Sequence, residues 1–291
     1  MRVFVTGATG FIGLPVTREL IAAGHKVLGL ARSDGGAQSL TALGAEIQRG
    51  SLEDLESLRA GASAADAVIH LAFIHDWSNF AASCEADARA IEALGTTLEG
   101  SEKPLIVTAG TAGLVGPGRI ATEADNVPPD FPYPRVSEQA ALSLKGVRAS
   151  VMRLPQVHNT VSQGFITIMV KTAREKGVSA YIGEGRNRFA AAHISDVARL
   201  YRLALEQNEP GSRYHAVAEE GVLMRDIAGA IGRRLDVPVK SISADEAGAH
   251  FGWFSMFVAQ DLMASSEKTR RELGWQPTGP GLIVDLEHLQ P

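Results

Sequence analysis

Over the first half of the chain, short apolar runs alternate with amphipathic stretches. Arg2–Val5 reads as a strand, and Phe11–Ala23 as a helix closed by Gly24 in a left-handed cap. Lys26–Leu30 is a second strand. Gln38–Leu43 is a short helix ended by Gly44, and Glu46–Gln48 is a third strand. Leu52–Ala60 reads as helix, Ala67–Ala72 as strand, Ala81–Glu99 as a long helix and Leu105–Thr108 as strand. Ser137–Lys145 and Ala149–Leu154 add one more helix and a sixth strand. The strands are continuous apolar runs, so both of their faces are buried. This predicts an α/β fold: a doubly wound parallel sheet covered by helices on each side. After Leu154 the rhythm loosens. The expected division is a first domain over 1–155 and a smaller C-terminal lobe over 156–291, with a helix at 193–207 returning to the first domain.

Composition narrows the class. A chain of 291 residues suits one large α/β unit or two intimate domains. Hydrophobic residues at 45% and charged residues at 21% are ordinary for a chain with a sizeable core. A net charge of −5 points away from nucleic acid and from an anionic membrane. Cys84 is the single cysteine, so no internal disulfide forms, and it reads as a small buried helix residue. No targeting segment and no apolar run near the ~20 residues of a membrane span are visible, so a cytoplasmic location is expected. No metal site is expected.

The chemistry starts at the first strand. Thr6-Gly7-Ala8-Thr9-Gly10-Phe11-Ile12-Gly13 follows a predicted strand and opens a predicted helix. That is the place where a glycine-rich turn holds a dinucleotide pyrophosphate. Gly7 permits the tight turn, Gly10 lets the phosphates approach backbone, and Gly13 lets helix and strand pack closely. The helix N-terminus adds free N–H groups and partial positive charge. The first domain is thus a Rossmann-type dinucleotide-binding domain and the rest mainly a substrate lobe. The second strand ends in Arg32-Ser33, where an acidic residue would take the ribose hydroxyls of NAD. Arg32 and Ser33 offer donors to a 2′-phosphate, which favours NADP over NAD, although Asp34 stands beside them.

The chain resembles the short-chain dehydrogenase/reductase superfamily. Within it, the match is to the extended branch of NAD-dependent epimerases, dehydratases and related reductases. The resemblance rests on Thr6–Gly13, on Val68-Ile69-His70-Leu71-Ala72, on Arg153-Leu154-Pro155, on His193-Ile194-Ser195-Asp196-Val197-Ala198 and on Glu272-Leu273-Gly274-Trp275-Gln276-Pro277. It implies that Leu71, Ala72 and Phe73 lie along the cofactor and that Pro155 meets the nicotinamide. Ser51 and Leu52 fall where the family caps the adenine. The resemblance also implies a homodimer through helices of the first domain. His193, Asp196 and Trp275 read equally as structural: a hydrogen-bonded core histidine, a helix-opening acid and a packing residue.

Members of the superfamily pair a tyrosine with a lysine four residues later, which lowers the tyrosine pKa for proton exchange. A Ser or Thr hydroxyl shares the substrate oxygen. Here Thr111 takes the hydroxyl position, with Thr108 as second choice. Tyr133 is the tyrosine of the region, but Ser137 stands four residues on. In the alternative alignment Pro134 replaces the tyrosine and Glu138 the lysine. Arg135 is the nearest cation and could orient substrate or cofactor phosphate. His75, Trp77 and His158 sit at strand ends where cofactor and substrate meet. The stretch 250–257, rich in aromatic residues, is either core or the lining of an apolar substrate pocket. The expected function is an NADP-dependent oxidoreductase acting on a small ketone or secondary alcohol. Thr111 would hold the oxygen and Tyr133 would donate the proton. The alternatives are an NADP-binding sensor without redox turnover and a nucleotide-sugar epimerase or dehydratase.

Overall fold

The computed structural model describes residues 1–128 and 135–290. The chain runs through β1 (Arg2–Thr6), α1 (Gly13–Ala22), β2 (Lys26–Ala31), α2 (Asp34–Ala42), β3 (Glu46–Arg49), α3 (Leu55–Ser63), β4 (Ala67–His70), α4 (Phe80–Leu98), β5 (Pro104–Gly110), α5 (Ser137–Ser143) and β6 (Arg148–Leu154). It continues through β7 (Gln156–His158), α6 (Ile166–Lys176), β8 (Ser179–Ile182), β9 (Arg188–His193), α7 (Ile194–Gln207), β10 (Arg213–His215), β11 (Glu219–Leu223), α8 (Met224–Leu235), β12 (Val239–Ile242), α9 (Ala244–Phe251), α10 (Ser255–Val258), α11 (Glu267–Leu273) and α12 (Leu282–Glu287). Two compact units result. One comprises 1–110, 129–153 and 197–214, and the other 111–128, 154–196 and 215–291.

The first unit is built on a seven-stranded sheet of order β10-β6-β5-β4-β1-β2-β3. β1 pairs in parallel with both β2 and β4, so the strand order reverses between β1 and β4. In doubly wound sheets a ligand crevice opens at such a switch point, beyond the carboxyl ends of the strands. One face of the sheet is filled by Phe4, Leu28, Leu58, Val68, Ile91, Leu94, Leu105 and Val151. β4 ends at His70, two residues short of the apolar run: Leu71 N–H is shared between the Thr6 carbonyl and hydroxyl, and Ala72 N–H turns to the hydroxyl. α2 begins at Asp34, earlier than its apolar positions suggest, because Ser33 caps it by accepting from Gly36 N–H.

The second unit carries a three-stranded sheet, β11-β9-β7, and the pair β12–β8. Its core packs Met169, Phe189, Ile227, Ile231, Phe251, Phe254 and Leu286. In the aromatic stretch Phe251 and Phe254 are core, while Trp253 and Met256 are exposed. Residues 111–128 fall in this unit because Ala121 exchanges hydrogen bonds with Met263 and Ser265, and Glu123 accepts from Thr269. Trp275 is fully buried and its Nε1 donates to the Asp196 carbonyl. The Asp196 carboxylate accepts from Thr278 and Gly279 N–H, so it clamps the segment after Trp275. His158 is wholly buried and shares a 2.6 Å hydrogen bond with Asp285.

Glu138, which stands where the alternative alignment puts the family lysine, is spent inside the first unit. Its carboxylate holds the fully buried Arg153 at 2.6 and 2.7 Å and Arg213 at 2.7 Å. Burial pushes the Glu138 carboxyl up, but the bonds and charges of Arg153 and then Arg213 outweigh it and hold it below its ordinary value. Breaking a buried pair by removing one charge costs about 3–5 kcal/mol. Glu138→Gln is therefore expected to lower the unfolding free energy by about that amount in urea titrations at neutral pH. A loss below ~0.5 kcal/mol, the range of ordinary surface changes, would contradict this account.

Candidate cofactor and active site

The turn after β1 is shaped by steric necessity. Gly7 has φ +67°, and a Cβ on it would stand 2.7 Å from Ala72 N and 2.8 Å from Ala72 Cα. A Cβ on Gly13 would overlap the Gly7 carbonyl oxygen. A Cβ on Gly10 would meet only that oxygen, at 3.2 Å, so its open side faces away from the protein. Gly10 N–H closes on the Gly7 carbonyl, and Leu14 N–H on the Gly10 carbonyl. Among the described residues the N–H groups of Phe11 and Ile12, between these two, enter no backbone hydrogen bond. Thr9 and Gly10 are exposed. The turn thus presents unengaged amides at the start of α1 on a surface free of side-chain bulk, which can take a phosphate pair.

The end of β2 lies next to this turn. A Cβ on Gly36, in the first turn of α2, would come within 3.0 Å of the Thr9 methyl, so α2 also starts beside Thr9. Arg32 is exposed and has no partner among the described residues. Ser33 uses a lone pair to cap α2 and keeps its own proton to donate. Asp34, the acid that follows Arg32 and Ser33, forms an exposed ion pair with Arg49 at 2.5 Å. Ser51 is half-buried. Leu52 is 8% exposed and packs in the core with Leu30 and Leu58, so only its edge is open to an adenine.

A directed hydrogen-bond chain runs from the turn across the strand ends. Thr6 Oγ1 accepts from Leu71 and Ala72 N–H, both at 3.2 Å, so its proton goes to His70 Nδ1 at 2.8 Å. His70 then donates from Nε2 to Asp87 Oδ1 at 3.1 Å. Ser137 donates to Asp87 Oδ2 and accepts from Arg135 Nε at 2.9 Å. Arg135 Nη2 donates to the Thr108 carbonyl at 3.2 Å. The guanidinium lies 4.3 Å over the Phe73 ring. Burial would raise the Asp87 carboxyl. The hydrogen bond from His70, the charge of Arg135 and the Ser137 hydroxyl hold it below its ordinary value instead.

The predicted catalytic residues fare differently. Thr108 donates to the His70 carbonyl at 2.7 Å and accepts from Tyr201, so its hydroxyl is not open to a substrate. Tyr201 is fully buried, and burial pushes its pKa far up, so it stays a neutral structural donor. Thr111 lies in the second unit, 7% exposed, with its hydroxyl 3.4 Å from the Leu154 carbonyl. Pro155 is half-buried in the same unit. Tyr133 and Pro134 lie outside the described residues. His75 and Trp77 join Phe73 and Phe80 in one aromatic cluster at the end of β4. The residues missed at sequence level are Asp87 and Ser137. They are 17 and 67 positions from His70, and their only local signal is a polar residue on an apolar helix face. Among the described residues no cluster of three or more His, Cys, Asp or Glu is arranged for a metal, and no helix is long and apolar enough to cross a membrane.

Comparison with known proteins points one way. A family model described as the NAD dependent epimerase/dehydratase family matches residues 3–217. An uncharacterised protein of Schizosaccharomyces pombe is 49% identical over 290 residues, covering 98% of both chains. The 4-hydroxy-2-methyl-3-oxo-4-farnesyl-3,4-dihydroquinoline-1-oxide ketoreductase of Stigmatella aurantiaca is 24% identical over 311 residues, covering 94% of this chain and 92% of that protein. In structure, dTDP-glucose 4,6-dehydratase from Streptomyces venezuelae, solved with NAD and TYD bound, gives a TM-score of 0.78 at 19% identity. It covers 99% of this chain and 95% of that one, a likeness that speaks for the fold.

The hydrogen-bond chain makes its own prediction. An amide at position 87 accepts one of the two donors and opposes the other with its NH₂, so Asp87→Asn is expected to cost about 1–3 kcal/mol at pH 7 in urea unfolding. Because the folded-state pKa of Asp87 is depressed, its contribution is complete above the ordinary carboxylate range of ~3.9 and fades as pH falls through the folded value. The gap between wild type and variant should therefore close in acid. Equal stability at pH 7 would contradict the chain of bonds.

Proposed function

Because the chain belongs to the NAD dependent epimerase/dehydratase family, whose members are NAD(P)-dependent oxidoreductases, epimerases or dehydratases, we propose that it is an NADP-dependent oxidoreductase acting on a small ketone or secondary alcohol. The observation that carries the reading is the glycine turn, whose Phe11 and Ile12 amides and neighbouring Arg32 have no partner among the described residues. Gly7, Thr9, Gly10, Phe11, Ile12 and Gly13 cradle the pyrophosphate. Arg32, with Ser33, takes the 2′-phosphate of NADP, since a guanidinium matches a phosphate with two parallel donors. Arg49 holds Asp34 back from repelling that phosphate. Ser51 and the edge of Leu52 flank the adenine, and Leu71, Ala72 and Phe73 follow the cofactor toward the substrate.

When bound, NADP(H) supplies or accepts the hydride. A ketone gains that hydride at carbon and a proton at oxygen to become the alcohol. The Stigmatella relative, a ketoreductase by name and alike over nearly the full length, supports reduction of a carbonyl. Thr111 and Tyr133 keep the roles that the superfamily pattern implies, oxygen holder and proton donor. The chain's own cation at the strand ends is Arg135, which is fixed by Ser137 and Thr108 and cannot exchange protons at neutral pH. It can bind and orient, and the proton must come from elsewhere.

The test is NADPH oxidation, followed by absorbance, against a panel of small ketones and the reverse reaction with secondary alcohols. Turnover with at least one carbonyl is expected. Complete inactivity with NADPH bound would overturn the reading in favour of a cofactor-binding sensor.

A further inference from the structure

Arg135 and the aromatic side chains beyond β4 form a recognition element that cofactor binding leaves unexplained. We propose that Arg135, with Phe73, His75, Trp77 and Phe80, selects a carbonyl substrate that carries a carboxylate next to an aromatic or flat apolar body. The proposal deepens the oxidoreductase reading and rests on it for the word substrate; the anion site itself does not.

The guanidinium is built in place. Arg135 Nε is committed to Ser137, whose oxygen is anchored by the buried Asp87, and one Nη2 donor goes to the Thr108 carbonyl. Among the described residues Arg135 makes no ion pair, and its Nη1 group has no acceptor. A half-buried, oriented guanidinium with one open donor edge suits a carboxylate, which two parallel N–H groups can bind. Asp87, whose two oxygens are bonded by His70 and Ser137, makes no direct ion pair with Arg135.

The walls beside that edge are aromatic. Phe73 lies under the guanidinium, 5.9 Å from Phe80 and 5.3 Å from His75, and Trp77 stacks on Phe80 at 5.2 Å. Trp77 is 41% exposed. Packing among its neighbours, and then the charge of Arg135, lower the His75 pKa, so its ring is neutral at pH 7 and adds a polar donor without a second charge. One cation over a wall of rings matches one anionic group on a flat apolar body. The place fits a substrate. Phe73 follows Ala72, against which the glycine turn closes, and Arg135 stands over the carboxyl ends of β4 and β5, beside the switch point.

The experiment compares an acid with its neutral amide in two readouts. With NADPH present, phenylpyruvate is expected to be reduced with at least tenfold higher kcat/KM than phenylpyruvamide, and Arg135→Gln should shrink that ratio toward one. Without turnover, phenylacetate should bind the unmutated protein at least tenfold more tightly than phenylacetamide by calorimetry, and should quench fluorescence that Trp77→Phe removes. Selective phenylacetate binding with no ketone turnover would sink the oxidoreductase reading and leave the anion site standing. Ketone turnover with no preference between acid and amide, in kinetics and in binding, would overturn the anion site alone. Since the acid–amide comparison is made on the unmutated protein, a misfolded Arg135→Gln does not blunt it. If the variant instead changes only NADPH affinity, Arg135 serves the cofactor and the proposal falls.

Discussion

The ends of β1 and β4 meet with no room for a side chain between them. At Gly7 the backbone takes φ +67°, and a Cβ would stand within 3 Å of Leu71 and Ala72 backbone. One residue earlier, Leu71 N–H is shared between the Thr6 carbonyl and the Thr6 hydroxyl, and Ala72 N–H goes to the hydroxyl. This junction ends β4 and starts the turn whose amides stay unengaged. It also places Phe73 at the mouth of the switch point. A larger residue at Gly7 would push apart the two strands on which the crevice depends, so the constraint is steric first and electrostatic second.

From that junction the polar chain Thr6–His70–Asp87–Ser137–Arg135 carries orientation outward. Every member except Arg135 is buried. In a low-dielectric interior each unmade bond would be costly, so the chain has one favourable proton arrangement and holds the final guanidinium in one pose. The superfamily's lysine places a charge beside its tyrosine. Among the described residues, Arg135 is fixed against the Phe73 ring, and Glu138 is held in a separate buried pair with Arg153. The Arg135 charge at the strand ends is therefore held in one orientation and is not a proton carrier at neutral pH.

The glycine turn and the strand–helix alternation were legible because their causes are local. Eight consecutive residues state the turn, and short, mostly apolar runs of three to six residues state the strands. The superfamily pattern ranks Thr111 ahead of Thr108 without giving a physical reason. What separates them is that Thr108 meets Tyr201, 93 positions away, and spends its hydroxyl inside the fold. Leu52 reads as an adenine contact by position, yet most of its surface goes to the core beside Leu30 and Leu58. Asp87 looked like one more polar residue in a long helix, since its partners lie on β4 and α5. Long-range hydrogen bonds leave no period in a sequence, which is why the turn was visible and the chain of bonds behind it was not.

The central claim is that the turn and Arg32 together hold NADP. Calorimetric titration of the protein with NADP⁺ and with NAD⁺, repeated on Arg32→Ala, tests it most directly. The account predicts saturable binding of one NADP⁺ per chain, at least tenfold tighter than NAD⁺. In the variant that preference should be lost, while NAD⁺ affinity stays within about twofold, because removing one charge-assisted contact to a phosphate costs about 1.5–3 kcal/mol. Binding of neither dinucleotide, or a preference for NAD⁺ in the unmutated protein, would contradict it.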